Sequence, residues 1–71
     1  MNVSSRIDGE FNGTNDETLY ELTNGQIWQQ IGYRYRYKYR YRPTVNVVRH
    51  GAGWVMIVDG FPDTIRVRRI H

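Results

Sequence analysis

The sequence contains no cysteine, only two prolines and no long hydrophobic run. Because cysteine is missing, disulfide bonds and thiolate metal sites are excluded, and a reducing compartment suits the chain at least as well as secretion. No apolar stretch approaches the roughly 20 residues of a membrane-spanning helix, and no secretory signal pattern opens the chain. At 71 residues, the chain is close to the lower size limit of an independent domain. We therefore expect one soluble, cytoplasmic domain over residues 1–71, either a whole protein or a domain detached from a larger one, without a membrane partner.

A helical pattern is missing as well, since no stretch repeats its apolar residues every 3.6 or so positions between helix caps. β-Branched and aromatic residues are frequent, and glycine or proline interrupts them at short intervals, which predicts an all-β protein. Five or six short strands in 71 residues favour a small, strongly bent barrel over a sandwich, which normally has more strands. The predicted strands span residues 3–11, 18–23, 26–42, 44–49, 54–58 and 64–70.

Short motifs predict where the chain turns. Asn24-Gly25 predicts a tight type I′ hairpin, because both central positions of that turn need positive φ and Asn-Gly tolerates it best. Gly32 predicts a bulge or sharp bend where the long strand crosses from one sheet to another, since one straight strand over residues 26–42 would measure about 50 Å and exceed the width of so small a domain. Pro43 predicts the end of that strand because it cannot donate a backbone hydrogen bond. Residues 12–15 are predicted to form a loop.

The most informative segment is YRYRYKYRYR at residues 33–42, where five tyrosines alternate with four arginines and one lysine. A period of two places successive side chains on opposite faces of a sheet, so the segment predicts a β-strand with one phenol face and one cationic face. Its cations contribute +5, whereas residues 1–24 hold one base and five acids, a balance of −4. Two explanations fit this asymmetry: an anionic partner, or neutralisation of the cations within the fold by the acidic N-terminal third.

The tyrosine face has a structural interpretation. Facing a barrel interior, the rings would supply apolar area that the two Phe and two Trp residues cannot provide alone. Each buried hydroxyl would need a hydrogen-bond partner, so complete burial of all five is difficult. We expect two or three of the tyrosines to be mostly buried and the others to form an amphipathic rim.

The cationic face has both a binding and a solvating interpretation. Like charges two residues apart lie about 7 Å from each other and repel, which favours an anionic ligand, nucleic acid first or another polyanion. Guanidinium groups would contact phosphates and exposed tyrosines would stack on bases, although the two groups lie on opposite faces. Alternatively, the cations keep the strand soluble or pair with acids. The candidate ligand-binding residues are Arg34, Arg36, Lys38, Arg40 and Arg42, with Tyr33 and Tyr41 as stacking edges.

Two other functions stay open. Tyrosine and arginine are enriched in protein interfaces, so the strand is also a candidate for a protein partner or for homo-oligomerisation, with the acidic N-terminal third of one copy against the basic strand of another. A domain in which the strand serves only stability is the third alternative. Sedimentation and substitution of the cations distinguish these possibilities.

The sequence argues against an enzyme. Asp59 and Asp63 flank a Gly-Phe-Pro turn, where Asp commonly bonds its own backbone, so the turn explains them. Trp28 and Trp54 are expected in the core rather than in a ligand groove. His50 lies beside a flexible loop and has no nucleophile to activate. With no nucleophile, base and orienting group together, we predict no catalytic residue, no metal ligand and no cofactor.

Three segments carry a resemblance: LTNGQIWQQ at residues 22–30, the tyrosine run ending at Pro43, and WVMIVDG at residues 54–60. Together they resemble a family of small, uncharacterised bacterial domains with NGQxWxQ and YxYxYxYxYxP motifs, over roughly residues 7–70. The resemblance implies a small SH3-like β-barrel, sometimes attached to other domains, with no established activity. The residues between the tyrosines are mixed in that family but all basic here, so polyanion binding is not implied for the family as a whole.

Overall fold

The computed structural model describes residues 2–71, which form eight β-strands and no helix, and the all-β prediction is confirmed. The strands are β1 (Val3–Arg6), β2 (Glu10–Asp16), β3 (Leu19–Glu21), β4 (Ile27–Gln30), β5 (Tyr33–Tyr41), β6 (Thr44–His50), β7 (Gly53–Val58) and β8 (Thr64–Arg69). The predicted number of strands was too low, because Gly9 and Gly32, at φ of 102° and 81°, each divide a predicted strand into two. Residues 12–15, predicted as a loop, belong to β2.

Six strands form one antiparallel sheet in the order β1-β6-β7-β8-β4-β3. The sheet curls until its two edges approach each other, and a single bridge between Ile7 and Leu22 links the continuations of β1 and β3. The barrel prediction is therefore confirmed only in the strong curvature, because the sheet remains open rather than closing into a barrel. One bridge between short edge strands does not make the continuous ladder that closure requires.

The concave side of the sheet holds the core. In β6, β7 and β8, apolar side chains at alternate positions are completely buried, as the period of two predicts. Trp28 is 2% exposed, which confirms its predicted place in the core, and its ring meets Trp54 edge-on at 5.6 Å. Phe11 reaches this core from β2, and the centroid of its ring lies 5.3 Å from the centroid of the Phe61 ring.

The hairpin between β3 and β4 forms at the predicted place with a different turn. Within this hairpin loop only Gly25 has positive φ, at 90°. The prediction of a type I′ turn is therefore wrong, because that turn needs positive φ at Asn24 as well. Instead, Gly25 N–H donates to the carbonyl of Leu22 at 3.0 Å, the pattern of a three-residue loop that ends in a left-handed glycine. Asn24 contributes through its side chain, whose Oδ1 accepts from the N–H of Gln26 at 3.0 Å.

The remaining two strands, β2 and β5, form a separate antiparallel ribbon. β2 lies against the core through Phe11, Gly13 and Thr14, all buried, whereas β5 lies on the outside. Gly32 makes the predicted bend where the chain leaves the large sheet and enters this ribbon. The ribbon is thus attached to the core by β2 and exposes β5 to solvent.

Candidate functional site

All five tyrosines of β5 are exposed to solvent, from 46% for Tyr39 to 71% for Tyr33. The prediction that two or three of them are buried in the core is therefore wrong. The register gives the reason: buried Phe11 of β2 lies opposite Arg40, and buried Thr14 lies opposite Arg36. Residues opposite each other share a face of the sheet, so the cations, not the tyrosines, lie on the side of the protein body.

Gly13 makes this register possible. Phe11 and Thr14 are three residues apart and both buried, which breaks the alternation of a regular strand. Gly13 between them has φ of 93°, a conformation that glycine adopts without strain. A Cβ at this position would overlap the Arg36 carbonyl oxygen and lie 2.9 Å from the Lys38 nitrogen. The two strands therefore approach closely at Gly13, beside a register shift between Phe11 and Gly13.

A second register shift, between Thr14 and Asp16, is bridged by a buried side chain. The Gln30 amide accepts from the N–H of Asn15 at 3.0 Å and donates to the carbonyl of Arg34 at 3.4 Å. Gln30 is only 3% exposed, and these bonds satisfy its polar atoms as burial requires. Its role in joining β2 to β5 was not predicted, because a glutamine in a sequence gives no sign of which distant backbone groups it meets.

Three of the four cations within β5 face acidic residues of the turn between β7 and β8. Arg34 and Arg36 approach the same oxygen, Asp63 Oδ2, at 3.5 and 3.4 Å. Arg40 approaches Asp59 Oδ2 at 3.5 Å, with its guanidinium lying against Gly60. The sequence interpretation of these two aspartates as turn residues missed this pairing. The acids that partly neutralise the strand thus come from the turn, not from the acidic N-terminal third.

The neutralisation of the cations is incomplete. Asp63 Oδ2 is shared between two guanidinium groups and makes no hydrogen bond to either. Their side chains stay 66% and 51% exposed for Arg34 and Arg36. Within residues 2–71, Lys38 and Arg42 take part in no salt bridge. The cationic face of β5 therefore keeps a net positive charge that solvent can reach.

Arg42 and the two terminal tyrosines differ in position from the central residues. Arg42 lies just beyond β5 with φ of 48°, and its N–H donates to the carbonyl of Gly9 at 2.9 Å. Tyr33 and Tyr41 mark the two ends of the strand, opposite Asp16 and Glu10 of β2. The structure thus brings four of the five predicted cations and both tyrosines onto β5, with the cations and tyrosines on its two faces as the alternation required, whereas Arg42 lies outside the strand.

The described part of the chain contains no group of three or more His, Asp or Glu side chains able to hold a metal ion. Residues 2–71 also contain no helix long and apolar enough to cross a membrane. No family model matches the chain, and neither a curated protein nor a solved structure matches it significantly. The geometry of β5 is therefore the basis for a functional proposal.

Proposed function

We propose that this protein is a non-enzymatic binding module and that β5 binds an extended anionic partner. The observation that carries the proposal is the excess of cations on one exposed strand face: four cations of β5 meet only two acids, Asp59 and Asp63. Cations two positions apart are separated by about 7 Å, which is within the Debye length of about 8 Å at cellular salt. An anionic ligand relieves this repulsion and gains attraction from every cation it meets.

Single-stranded nucleic acid is one candidate for this partner. Exposed arginine contacts phosphate, and exposed tyrosine offers a ring on which a base stacks. Tyr33 and Tyr41, 71% and 67% exposed, are the stacking rings at the two ends of β5, where a nucleic acid would have to wrap around the strand to meet a ring and a cation together. The arginines and the tyrosines are both accessible to solvent, which supports this candidate, although they lie on opposite faces of β5.

A second candidate is association with a protein or with another copy through the tyrosine face. The observation that favours it is the uninterrupted row of five exposed aromatic rings, since tyrosine is enriched at the buried centres of protein interfaces. Sedimentation over a wide concentration range tests the version with a second copy: a concentration-dependent dimer supports it, and a strict monomer removes it.

The finer assignment of the fold is also a proposal. The strong curl of the six-stranded sheet and the bridge that nearly joins its edges support an open relative of the SH3-like barrel. The NGQxWxQ and tyrosine motifs support membership of the small bacterial domain family, and the lack of cysteine fits a cytoplasmic location.

The experiment compares two triple variants that remove the same charge. The first replaces three cations of β5, Arg36→Ser, Lys38→Ser and Arg40→Ser. The matched control replaces three exposed arginines of β8, Arg66→Ser, Arg68→Ser and Arg69→Ser. Fluorescence anisotropy measures binding of labelled single-stranded DNA, single-stranded RNA and polyglutamate at about 50 and 200 mM salt.

We expect the unmodified protein to bind at least one of these polyanions at low salt and to lose affinity steeply as salt rises. The β5 variant is expected to bind roughly tenfold more weakly, whereas the β8 control stays close to the unmodified protein. Absence of binding at the lowest salt, or an equal loss in the two variants, would contradict the proposal.

A further inference from the structure

β5 has a free edge. In the described part of the chain, β2 is its only partner strand, so the backbone groups that point away from β2 meet no other strand. β5 has nine residues, eight of them exposed and Arg40 half-buried. The edges of the large sheet are far shorter, with four residues in β1 and three in β3. Folded proteins normally keep edge strands short or covered, because a long bare edge pairs with another chain.

The side chains of β5 specify what such an added strand must carry. Neighbouring strands place directly opposite residues about 5 Å apart on the same face. An added strand therefore presents every second side chain to the row of tyrosines and the others to the row of cations. Acidic side chains suit the cationic face, and apolar or aromatic side chains suit the tyrosine face.

A nucleic acid fits both faces less well than a polypeptide does. A polypeptide strand has the same two-residue repeat as β5, so its side chains reach both faces along the whole length. On the tyrosine side, Glu10 lies opposite Tyr41 and Asp16 opposite Tyr33, and both carboxylates are exposed. These acids repel a phosphate chain that stacks its bases on the tyrosines.

A second copy of β5 also fits poorly. Pairing two β5 edges places the four cations of one β5 strand beside the four of the other. Like charges on adjacent strands are destabilising, and charged side chains on an edge prevent such self-pairing. The same charges attract an acidic strand.

We propose that the partner is an extended protein segment of alternating acidic and apolar residues that adds to the free edge of β5 as a further strand. Main-chain hydrogen bonds contribute affinity in this mode, and alternate side chains contribute specificity. This inference rests on the proposed function and adds to it the class of partner and the way it is held.

The test uses nine-residue peptides with the unmodified protein, since β5 has nine residues. The probe alternates valine and glutamate, beginning and ending with valine, so that in full register its four glutamates lie opposite the four cations of β5 and its five valines lie opposite the five tyrosines. The matched control has the same composition arranged as a block of glutamates followed by a block of valines. Two further peptides keep the alternation but carry N-methyl groups either on all glutamates or on all the valines, which removes backbone donors from one edge or the other. Calorimetry measures the dissociation constants, and hydrogen exchange measures protection of the β5 amides.

We expect the alternating peptide to bind roughly tenfold more tightly than the block peptide, because only the alternating one matches both faces along the strand. One N-methylated peptide retains binding and the other loses it, since an added strand pairs through one edge only. Amides of β5 become protected in the complex, and the Arg36→Ser, Lys38→Ser, Arg40→Ser variant binds the peptide more weakly.

Other outcomes overturn the inference. Equal binding of the alternating and block peptides, or equal binding of the two N-methylated peptides, shows charge attraction without strand addition. In that case the binding-module proposal stands and the strand-addition inference fails. Tight binding of nucleic acid alone, or a dimer with β5 amides already protected, also rejects it. If neither peptides nor polyanions bind at low salt, both proposals fail together.

Discussion

The six-stranded sheet and β5 share the same two-residue period, but the sheet buries most of its large apolar side chains whereas β5 exposes them. In the sheet, one of the two side-chain sets in β6 and β8 is buried, including Val45, Val47, Ile65 and Val67. In β5 the aromatic set is the outer one, and the cations lie on the side of the core strand β2. An alternating pattern therefore separates two faces, while the neighbouring layer determines which face lies inside.

The chemistry of the neighbouring layer explains the orientation of β5. Phe11 and Thr14 are the buried side chains on the inner face of β2, and Asp59 and Asp63 offer charge partners beside the ribbon. Burying the tyrosines instead would require a hydrogen-bond partner for each hydroxyl and would leave those aspartates without cations. The core residues thus come from the large sheet, from β2 and from the connecting residues Ile7, Leu22 and Phe61, and β5 is left available for binding.

Replacing a core side chain tests this contrast with the largest expected effect. Trp28→Ala removes a ring that is 2% exposed and is expected to cost about 3–5 kcal/mol of stability, enough to unfold much of a domain of this size. Tyr37→Ala on β5, where the ring is 62% exposed, is the aromatic control. Urea unfolding followed by circular dichroism measures both. Similar losses in the two variants would show that β5 contributes to the core as much as the sheet does.

The contact between β2 and β5 is expected to depend on Gly13. Gly13→Ala forces a Cβ against the Arg36 carbonyl, so the ribbon must open. Gly9→Ala is the control, since Gly9 also has positive φ but meets nothing within 4 Å of an added Cβ. The control is expected to lose about 1–2 kcal/mol from backbone strain alone, and Gly13→Ala more than that. Hydrogen exchange of β5 amides, faster only in Gly13→Ala, locates the damage; equal exchange in both variants contradicts the close contact.

Tyr20 provides a pH-dependent version of the same contrast, because it is the tyrosine that lies in the core. Its hydroxyl donates to the carbonyl of Gly13 at 2.9 Å. Burial raises the pKa of Tyr20 to about 12, against a smaller lowering by a hydrogen bond with Thr18. The unfolded chain releases this proton near pH 10, so the contribution of Tyr20 to stability is complete below pH 10 and declines as the pH rises to about 12.

Urea unfolding between about pH 9 and 12 measures this decline in the unmodified protein and in Tyr20→Phe. The variant keeps the ring and the other five tyrosines but has no proton to release at residue 20. We expect the stability of the unmodified protein to fall relative to the variant across this interval. Parallel curves for the two proteins would show that Tyr20 does not cause the decline.

The smallest effect on stability is expected from replacing an exposed tyrosine of β5. Tyr35→Ser is expected to change the free energy of unfolding by no more than about 0.5 kcal/mol, the range of ordinary surface substitutions, because the ring is 62% exposed. Its effect on the affinity of the alternating peptide is expected to be larger than its effect on stability. Thermal unfolding and calorimetry measure the two quantities, and a large loss of stability would support a structural role for the tyrosine face.

The sequence predicted local features more accurately than it predicted how the strands pair. The all-β class, the bend at Gly32 and the core position of Trp28 are confirmed, because each depends on residues close together in the chain. The passage of the chain from one sheet to another at Gly32 is confirmed as well, whereas the open sheet and the pairing of β2 with β5 were not predicted. They depend on pairing between segments far apart in sequence, for which a single sequence contains no register information.

Alternation alone determined that residues 33–41 form a strand with an aromatic face and a cationic face, because a strand reverses its side chain at every residue. Only the tertiary structure decided which face points outward. Gly13 lets both Phe11 and Thr14 point inward, and their partners across the ribbon, Arg40 and Arg36, must share that face. The cations then meet Asp59 and Asp63, and the tyrosines remain in solvent. A pairing register sets the side that each row of side chains faces, and that register is a property of two strands together.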